Sequence, residues 1–196
     1  MVWHIKRLYV HKNQTHMKEE IIAHIRNDGA IQTNENHSKG VATLAASFAN
    51  EFGMGDWGRV LGLLHDKGKE RNDFQNYIRS ENGIAACPYR DKSNARIGAQ
   101  LAKRLMPGRY PMATFPILGH HAGMCDYTDL KTYMEKEIPP EVDCDIPLSP
   151  PLMDFFVKYN LLSLDRQHFI HHVERMLFSC LVDAAYLDTE RFLETD

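Results

Sequence analysis

The sequence predicts an all-α domain of about six to eight helices, and three observations support this. Apolar residues recur in most segments with the 3.6-residue period of a helix, and no segment shows a convincing strand-like alternation. Glycine and proline separate these segments, as they do at helix ends. The 196 residues, 43% of them hydrophobic, are enough for one core and barely enough for two. We therefore expect a single domain over residues 1–196.

In the N-terminal half, the residue pattern predicts an irregular start followed by four helices. Residues 1–16 are irregular or strand-like at best. Helices are expected at 17–28, from a cap at Asn34 or Asn36 to Gly53, from a cap at Asp56 to Gly68, and at 73–80, before a loop through Cys87 and Pro88. In the second of these helices, His37 lies four residues before Val41 of the apolar stripe. Its side chain should therefore face the core.

In the C-terminal half, the residue pattern predicts three more helices and one long connection. Residues 93–106 form an amphipathic helix. Pro111 precedes a short apolar helix, ATFPILGHH, that carries His120 and His121 and breaks at Gly123. Residues 124–151 are polar and then rich in proline, so they are either a flap over the site or a plain connection. A long helix from about Asp165 to Leu193, with apolar residues along one side, completes the fold.

The charge balance and the cysteine pattern limit the classes of function. The formal net charge is −3 and 25% of residues are charged, which does not suit a domain whose whole surface grips nucleic acid. The four cysteines are spread widely, the N-terminus lacks the apolar stretch of a secretory signal, and no apolar run is long enough to cross a bilayer. We therefore expect a reduced, cytoplasmic protein with no membrane partner.

Five histidine and aspartate residues stand out by their position. They lie on one apolar helix face and at the ends of two apolar helices, in the strings GLLHDKGK and LGHHAG: His37, His65, Asp66, His120 and His121. Imidazole nitrogen and carboxylate oxygen bind borderline transition metals, and adjacent side chains at a loosened helix end can converge on one ion. A carboxylate such as Asp66 can bridge two ions, which would activate water and clamp a phosphoryl group.

Each of these features alone has an ordinary structural explanation. A single histidine on an apolar face, such as His37, is more often a hydrogen-bonded core residue, and an H-D or H-H pair arises by chance. Together they would bury several polar groups, which is costly without partners. A shared cation would satisfy these groups at once, so their joint occurrence favours a metal centre.

Longer strings around these residues resemble one family. NHSKGVATLAASFANEFG, WGRVLGLLHDKGKERNDFQNYI, ILGHHAG and SCLVDAAYLDTE are similar to the HD nuclease of type I CRISPR interference, and the match runs over nearly the whole chain. That nuclease accompanies, or is fused to, a superfamily-2 helicase. The combination of H-D-x-G-K, F-Q-x-Y and G-H-H-A-G is far more specific than the bare H-D pair.

The resemblance implies a single helical domain of the HD superfamily and a metal-dependent endonuclease and exonuclease. The substrate would be single-stranded DNA exposed in an R-loop, cut by metal-activated water in antiviral defence. The partners would be the RNA-guided surveillance complex and the superfamily-2 helicase. The cofactor would be one or two divalent metal ions, with Mn, Fe, Ni, Co, Mg and Zn all open.

Carried across by position, the resemblance also implies roles for individual residues. There would be two sets of metal ligands, which share the Asp66 carboxylate. One ion would be held by His37, His65 and Asp66. Part of a second set would be Asp66, His120 and His121. Lys69 of H-D-x-G-K would sit beside the site, where its ammonium would neutralise a phosphate. Asp66 and Lys69 are therefore the expected catalytic residues.

Two positions depart from the family's pattern. Where the family has Asp-His-Ser, with a histidine that completes the second metal, this chain has Lys92 in place of that histidine. Where the family has L-V-D-A-D, with a last carboxylate that ligates the first ion, this chain has Ala185. Asp183 lies two residues away, roughly 200° around a helix, and is a poor substitute. Substrate phosphate could complete a weak site, or the Lys92 ammonium could replace the second cation. Lys92 could equally be an ordinary solvated lysine. We expect cleavage that is slow or strongly metal-dependent.

Two other functions remain open at the level of the sequence. The same chemistry in a small, closed pocket would give an HD phosphohydrolase that acts on nucleotides. A degenerate HD domain, altered at Lys92 and Ala185, would instead be a binding or regulatory module.

Basic residues near the predicted site suggest a phosphate-binding rim despite the negative net charge. Lys67, Lys92 and Arg96 are the main candidates, with Arg71 and Arg90 close by in the sequence. Binding through such a rim would weaken with added salt. An ordinary solvated surface explains these residues equally well.

Overall fold

The computed structural model is mostly helical, as the sequence predicts. It describes residues 20–86, 93–107, 111–135, 137–142, 145–146 and 163–194. These contain one hairpin, seven α-helices and a 3-10 helix: β1 (Ile22–Ile25), β2 (Ile31–Thr33), α1 (Asn34–Asn50), α2 (Gly55–Leu64), the 3-10 helix (Lys67–Glu70), α3 (Asn72–Glu81), α4 (Ala95–Leu105), α5 (Pro111–Gly119), α6 (Tyr127–Met134) and α7 (Ser163–Glu194). No helix among them is long and apolar enough to cross a membrane.

The helix expected at 17–28 is wrong where the structure describes this segment. Strands β1 and β2 pair antiparallel there, with Ile22 opposite Thr33 and Ile25 opposite Ile31. Gly29 turns the chain with a φ of +88°, a conformation that favours glycine. The short, β-branched apolar run around Ile22 suits a strand as well as a helix, and pairing with β2 decides the outcome.

The caps of α1 and α2 also differ from the sequence prediction. β2 runs directly into α1, so Thr33 is the last extended residue and its side chain accepts a hydrogen bond from the Asn36 backbone N–H at 3.1 Å. Asn34 and Asn36 are already helical. In α2, Met54 occupies the cap position without a side-chain bond, and Asp56 lies inside the first turn.

The core forms where α1, α2, α4, α5 and α7 pack together. Helices α1 and α2 approach closely because α2 carries glycine at the contact: a Cβ on Gly62 would lie 2.4 Å from the Ala42 backbone. Helix α4 approaches the end of α2 in the same way, since a Cβ on Gly98 would lie 1.9 Å from the Leu64 carbonyl oxygen. These contacts hold the C-terminal end of α2 in place, and the predicted H-D pair follows immediately.

The predicted connection at 124–151 is partly helical. Helix α6 begins after Asp126, whose side chain accepts a hydrogen bond from the Asp129 backbone N–H, and it buries Leu130. Residues 143–144 and 147–151 lie outside the described residues, as do residues 1–19 and the predicted loop at Cys87 and Pro88.

Candidate metal centre

Asp66 lies at the middle of a buried cluster of histidines. Helix α2 ends at Leu64, so His65 and Asp66 leave the helix and turn into the interior before the 3-10 helix begins. Both are fully buried. Asp66 Oδ2 lies 3.3 Å from Nε2 of His37 and 3.3 Å from Nε2 of His65. Its other oxygen, Oδ1, lies 3.5 Å from Nε2 of His120 at the end of α5.

Two histidines are oriented by the helix ends that carry them. His65 Nδ1 lies 2.8 Å from the Gly62 carbonyl oxygen, and His120 Nδ1 lies 2.6 Å from the Ile117 carbonyl oxygen, each three residues back along its own chain. A carbonyl only accepts, so Nδ1 carries the proton in both rings. Nε2 then presents a lone pair to the cluster, which is the state that binds metal.

His37 is oriented from the other end of the chain. Its Nδ1 donates to Oδ2 of Asp188 on α7 at 2.8 Å. Burial opposes a charge on the His37 imidazole, but hydrogen bonds to Asp188 and Asp66 outweigh it and raise the pKa. Burial likewise opposes a charge on Asp188, and His37 holds the pKa of that carboxyl below its usual range.

The cluster fits a divalent cation by its spacing and its unmet bonding. His37 Nε2, His65 Nε2 and Asp66 Oδ2 form a triangle in which every side is 3.3 Å. Ligand atoms about 2.0–2.1 Å from a tetrahedral metal are about 3.4 Å apart, so the triangle matches one face of such a site. Two of these atoms, His65 Nε2 and Asp66 Oδ2, are both acceptors that face each other without a cation. His120 Nε2 is buried and has no hydrogen-bond partner among the described residues.

Lys69 lies beside this triangle, as the sequence predicts. Its Nζ is 2.7 Å from Asp66 Oδ2, and it also approaches the Ala23 carbonyl oxygen at 3.4 Å. Burial alone would raise the pKa of the Asp66 carboxyl. The Lys69 ammonium and the surrounding histidines outweigh burial and hold that pKa well below its usual range. Asp66 is therefore ionised whenever the folded protein is near neutral pH.

The remaining predicted ligand, His121, lies at the exposed edge of the cluster. Its ring stacks on His120 with centroids 3.8 Å apart, and its Nε2 lies 3.2 Å from the side-chain amide nitrogen of Asn94. The same amide donates to Asp66 Oδ1. Burial and the neighbouring His120 lower the pKa of His121 to about 4, so its ring is neutral at pH 7.

Three residues at the site escaped the sequence analysis: His24, Asn94 and Asp188. His24 lies on β1, in the segment expected to be helical, and its Nε2 is 3.3 Å from Lys69 Nζ. Burial and Lys69 lower the pKa of His24 to about 3, so this ring is also neutral. Asp188 follows Ala185 by three residues on one helix, and that spacing is the signal that would have drawn attention to it.

A pocket of about 290 Å³ opens onto the cluster. The five predicted ligands, Lys69 and His24 line it, together with Val182, Ala185, Tyr186 and Thr189 of α7. Ala185 thus faces the site at the position where the resemblance implies a carboxylate. Asp183 is exposed and does not line the pocket.

The two described residues of the predicted phosphate rim, Lys67 and Arg96, do not line this pocket. Lys67 is buried, pairs with Glu70 at 2.6 Å and lines a different groove beside α1. Arg96 donates to the Gln100 side chain at 2.9 Å and to the Glu137 carbonyl oxygen at 3.3 Å. The cationic groups of Lys67 and Arg96 therefore bind neighbouring residues outside this pocket. Lys92 lies outside the described residues.

The geometry agrees with a comparison against known protein families. The HD domain model matches residues 34–146, which include His37, the H-D pair and both histidines after α5. No curated protein matches the chain. The match covers more than half of the chain, and the ligand atoms of His65, Asp66 and His120 lie within 4.8 Å of one another. The chain therefore belongs to the HD domain family, as a metal-dependent phosphohydrolase.

Proposed function

We propose that this protein is a metal-dependent nuclease that hydrolyses phosphodiester bonds in single-stranded DNA. One observation carries the hydrolytic part of the proposal: the triangle of His37 Nε2, His65 Nε2 and Asp66 Oδ2, with sides of 3.3 Å, at the floor of an accessible pocket. One or two divalent ions, drawn from Mn, Fe, Ni, Co, Mg and Zn, would be held there. The choice of DNA rests on the resemblance to the nuclease of type I CRISPR interference.

The chain's own residues would divide the work around the ion. His37, His65 and Asp66 would hold it. His120 would lie beside the second oxygen of Asp66, Oδ1. When bound, a divalent ion lowers the pKa of water and neutralises charge that develops on a phosphate. Lys69 adds a positive charge 2.7 Å from Asp66 Oδ2, where it would neutralise part of the negative charge of an incoming phosphate group.

The rim of the pocket favours a polymer over a small nucleotide. Tyr186 lines the pocket and is 66% exposed, so its ring is free to stack on a base outside the metal cluster. His121 is exposed at the same opening. A site for free nucleotides would need to enclose its ligand, and pockets for small molecules bury most of the ligand surface.

Delivery of the DNA would depend on a partner. The net charge is −3, and among the described residues the pocket is lined by one cationic side chain outside the histidines, Lys69. Such a surface gives little electrostatic attraction to DNA. A superfamily-2 helicase and an RNA-guided surveillance complex, which the resemblance implies, would supply the strand; the protein would then act in antiviral defence.

The test compares metal content and substrate range in one set of samples. Protein stripped with EDTA is reloaded with each divalent ion, its metal content is measured, and it is incubated with a labelled single-stranded oligonucleotide or with deoxynucleoside triphosphates. We expect bound metal and cleavage of the oligonucleotide, both lost in Asp66→Asn. Asp183→Asn, which changes an exposed carboxylate on α7, is the matched control and should behave as the wild type.

Two results would redirect the proposal. Hydrolysis of the triphosphates without cleavage of the oligonucleotide would indicate a nucleotide phosphohydrolase. Absence of bound metal under every ion would favour a degenerate binding module, for which Ala185 at the pocket wall is the supporting observation.

A further inference from the structure

We propose that His24, on strand β1, is a metal ligand that takes over the role of the carboxylate missing at Ala185. This inference rests on the proposed metal centre and specifies its ligands. It makes the N-terminal hairpin, which precedes the matched HD region at 34–146, a working part of the site. The ligand set would then be richer in imidazole than the sequence pattern implies.

The position of His24 relative to the cluster is the first support. His24, His37 and Asp66 each offer one ligand atom, and these three atoms lie within 4.8 Å of one another. The His24 ring meets the His37 ring edge to face, with centroids 4.7 Å apart. His24 and Ala185 line the same pocket. A side chain on β1 thus reaches the pocket that a longer residue at position 185 would also enter.

The neighbours of His24 Nε2 are the second support. Lys69 Nζ lies 3.3 Å from it and Thr189 Oγ1 lies 3.4 Å from it. An ammonium only donates, so Nε2 is the acceptor and carries a lone pair. The same ammonium is 2.7 Å from Asp66 Oδ2. A positive charge is therefore already held beside two acceptors that would receive the ion.

The hairpin is anchored firmly enough to present a ligand. The buried Gln75 side chain accepts a hydrogen bond from the Ile22 backbone N–H at 2.9 Å and donates to the Ile22 carbonyl oxygen at 2.9 Å. It also donates to the Lys69 carbonyl oxygen at 2.7 Å. Ile22 packs with Phe74 and Ile78 of α3. Gln75 of the F-Q-x-Y string thus links β1 to the segment that carries Lys69. This link fixes the position of His24 relative to the cluster.

The experiment exchanges the ligand between β1 and α7. Binding of Co²⁺ to the metal-free full chain is measured by calorimetry, and the visible absorption of the bound Co²⁺ reports its ligands. We expect His24→Ala to lose roughly tenfold or more in affinity and to change the spectrum. Adding Ala185→Asp to His24→Ala should restore most of the affinity, because the new carboxylate enters the same pocket. His172→Ala, an exposed histidine on α7, is the matched control.

The outcomes separate this inference from the proposed function. Unchanged affinity and spectrum in His24→Ala, with binding lost in Asp66→Asn, would overturn the role of His24 and leave the metal centre intact. Absence of Co²⁺ binding in the wild type would overturn both. If His24→Ala does not fold, as judged by circular dichroism, His24→Asn is used, and its unchanged affinity would be equally decisive.

Discussion

Asp188 accepts a hydrogen bond from Nδ1 of His37 at 2.8 Å, across 151 positions of sequence. The bond orients the His37 ring so that Nε2 points at Asp66. Asp188 also accepts a bond from the Gln32 side chain at 2.8 Å, which fixes the carboxylate itself. Helix α7, which lies outside the matched HD region, therefore determines the geometry of a ligand inside that region.

The first prediction concerns Asp188 as a positioning residue. Asp188→Ala frees the His37 ring and removes the acceptor that keeps its proton on Nδ1, so metal affinity should fall 10–100-fold. Asp188→Asn keeps an acceptor oxygen and should fall less. Isothermal titration with Mn²⁺ measures both. Asp183→Ala, exposed on the same helix, is the control; an equal loss there would show that α7 as a whole had been disturbed.

The second prediction concerns Gly40, one turn after His37 on α1. A Cβ at this position would lie 1.9 Å from Asp188 Oδ1, so only glycine lets the carboxylate approach. Glycine to alanine inside a helix normally stabilises a protein by up to about 1 kcal/mol. Here Gly40→Ala should instead destabilise by about 1–3 kcal/mol, as overpacking does. Denaturant unfolding measures the sign.

A double variant isolates the cause of that change. In Gly40→Ala with Asp188→Ala the clash is absent, so the two effects should not add, and the glycine substitution should become neutral or stabilising. Strict additivity would mean that Gly40 acts through some contact other than Asp188.

The predicted ligands came from a signal that the sequence carries locally. His65 and Asp66 follow one apolar helix, and His120 and His121 follow another, so helix position placed all four at one site, with His121 at its exposed edge. The same local rule accounts for the Nδ1 bonds, since each helix end supplies a carbonyl three residues back. Helices α1 to α5 and the long α7 were also predicted from patterns within single segments, whereas α6 lies in the segment expected to be a connection.

The residues that escaped prediction depend on contacts between distant segments. His24 reaches the site because Gln75 holds a hairpin where the local pattern also suits a helix. Asp188 depends on which side of α7 meets α1, where Gly40 leaves room for its carboxylate. Lys67 lines a different groove, where its ammonium pairs with Glu70, three residues away. Neither the placement of His24 nor that of Asp188 can be read from one segment alone.

The third prediction concerns the pH dependence of stability in the metal-free protein. The folded pKa of His24 is about 3, against 6.5 for the unconstrained side chain. The unfolded state therefore binds a proton more readily, and stability should be lost as pH falls below 6.5. The loss should reach at most about 2 kcal/mol at pH 5, since each pH unit contributes about 1.4 kcal/mol.

The measurement compares wild type with His24→Asn in EDTA, by urea unfolding at pH 7 and pH 5. His37 works in the opposite direction, because its raised pKa stabilises the fold at low pH, so the difference between the two proteins is the relevant quantity. An equal loss of stability in both proteins would show that His24 does not contribute.

The fourth prediction concerns Gln75, which ties β1 to the 3-10 helix through three buried hydrogen bonds. Gln75→Leu keeps a similar volume but leaves the N–H and carbonyl of Ile22 without these partners. Each unsatisfied buried group costs about 1–3 kcal/mol, so we expect a loss of about 2–4 kcal/mol after partial relaxation. Hydrogen exchange should quicken at the Ile22 amide and stay slow in α2, because Ile22 and Leu61 belong to separate hydrophobic clusters. Faster exchange throughout α2 would instead indicate global destabilisation, and Gln75 would then stabilise the whole fold rather than the hairpin that carries His24.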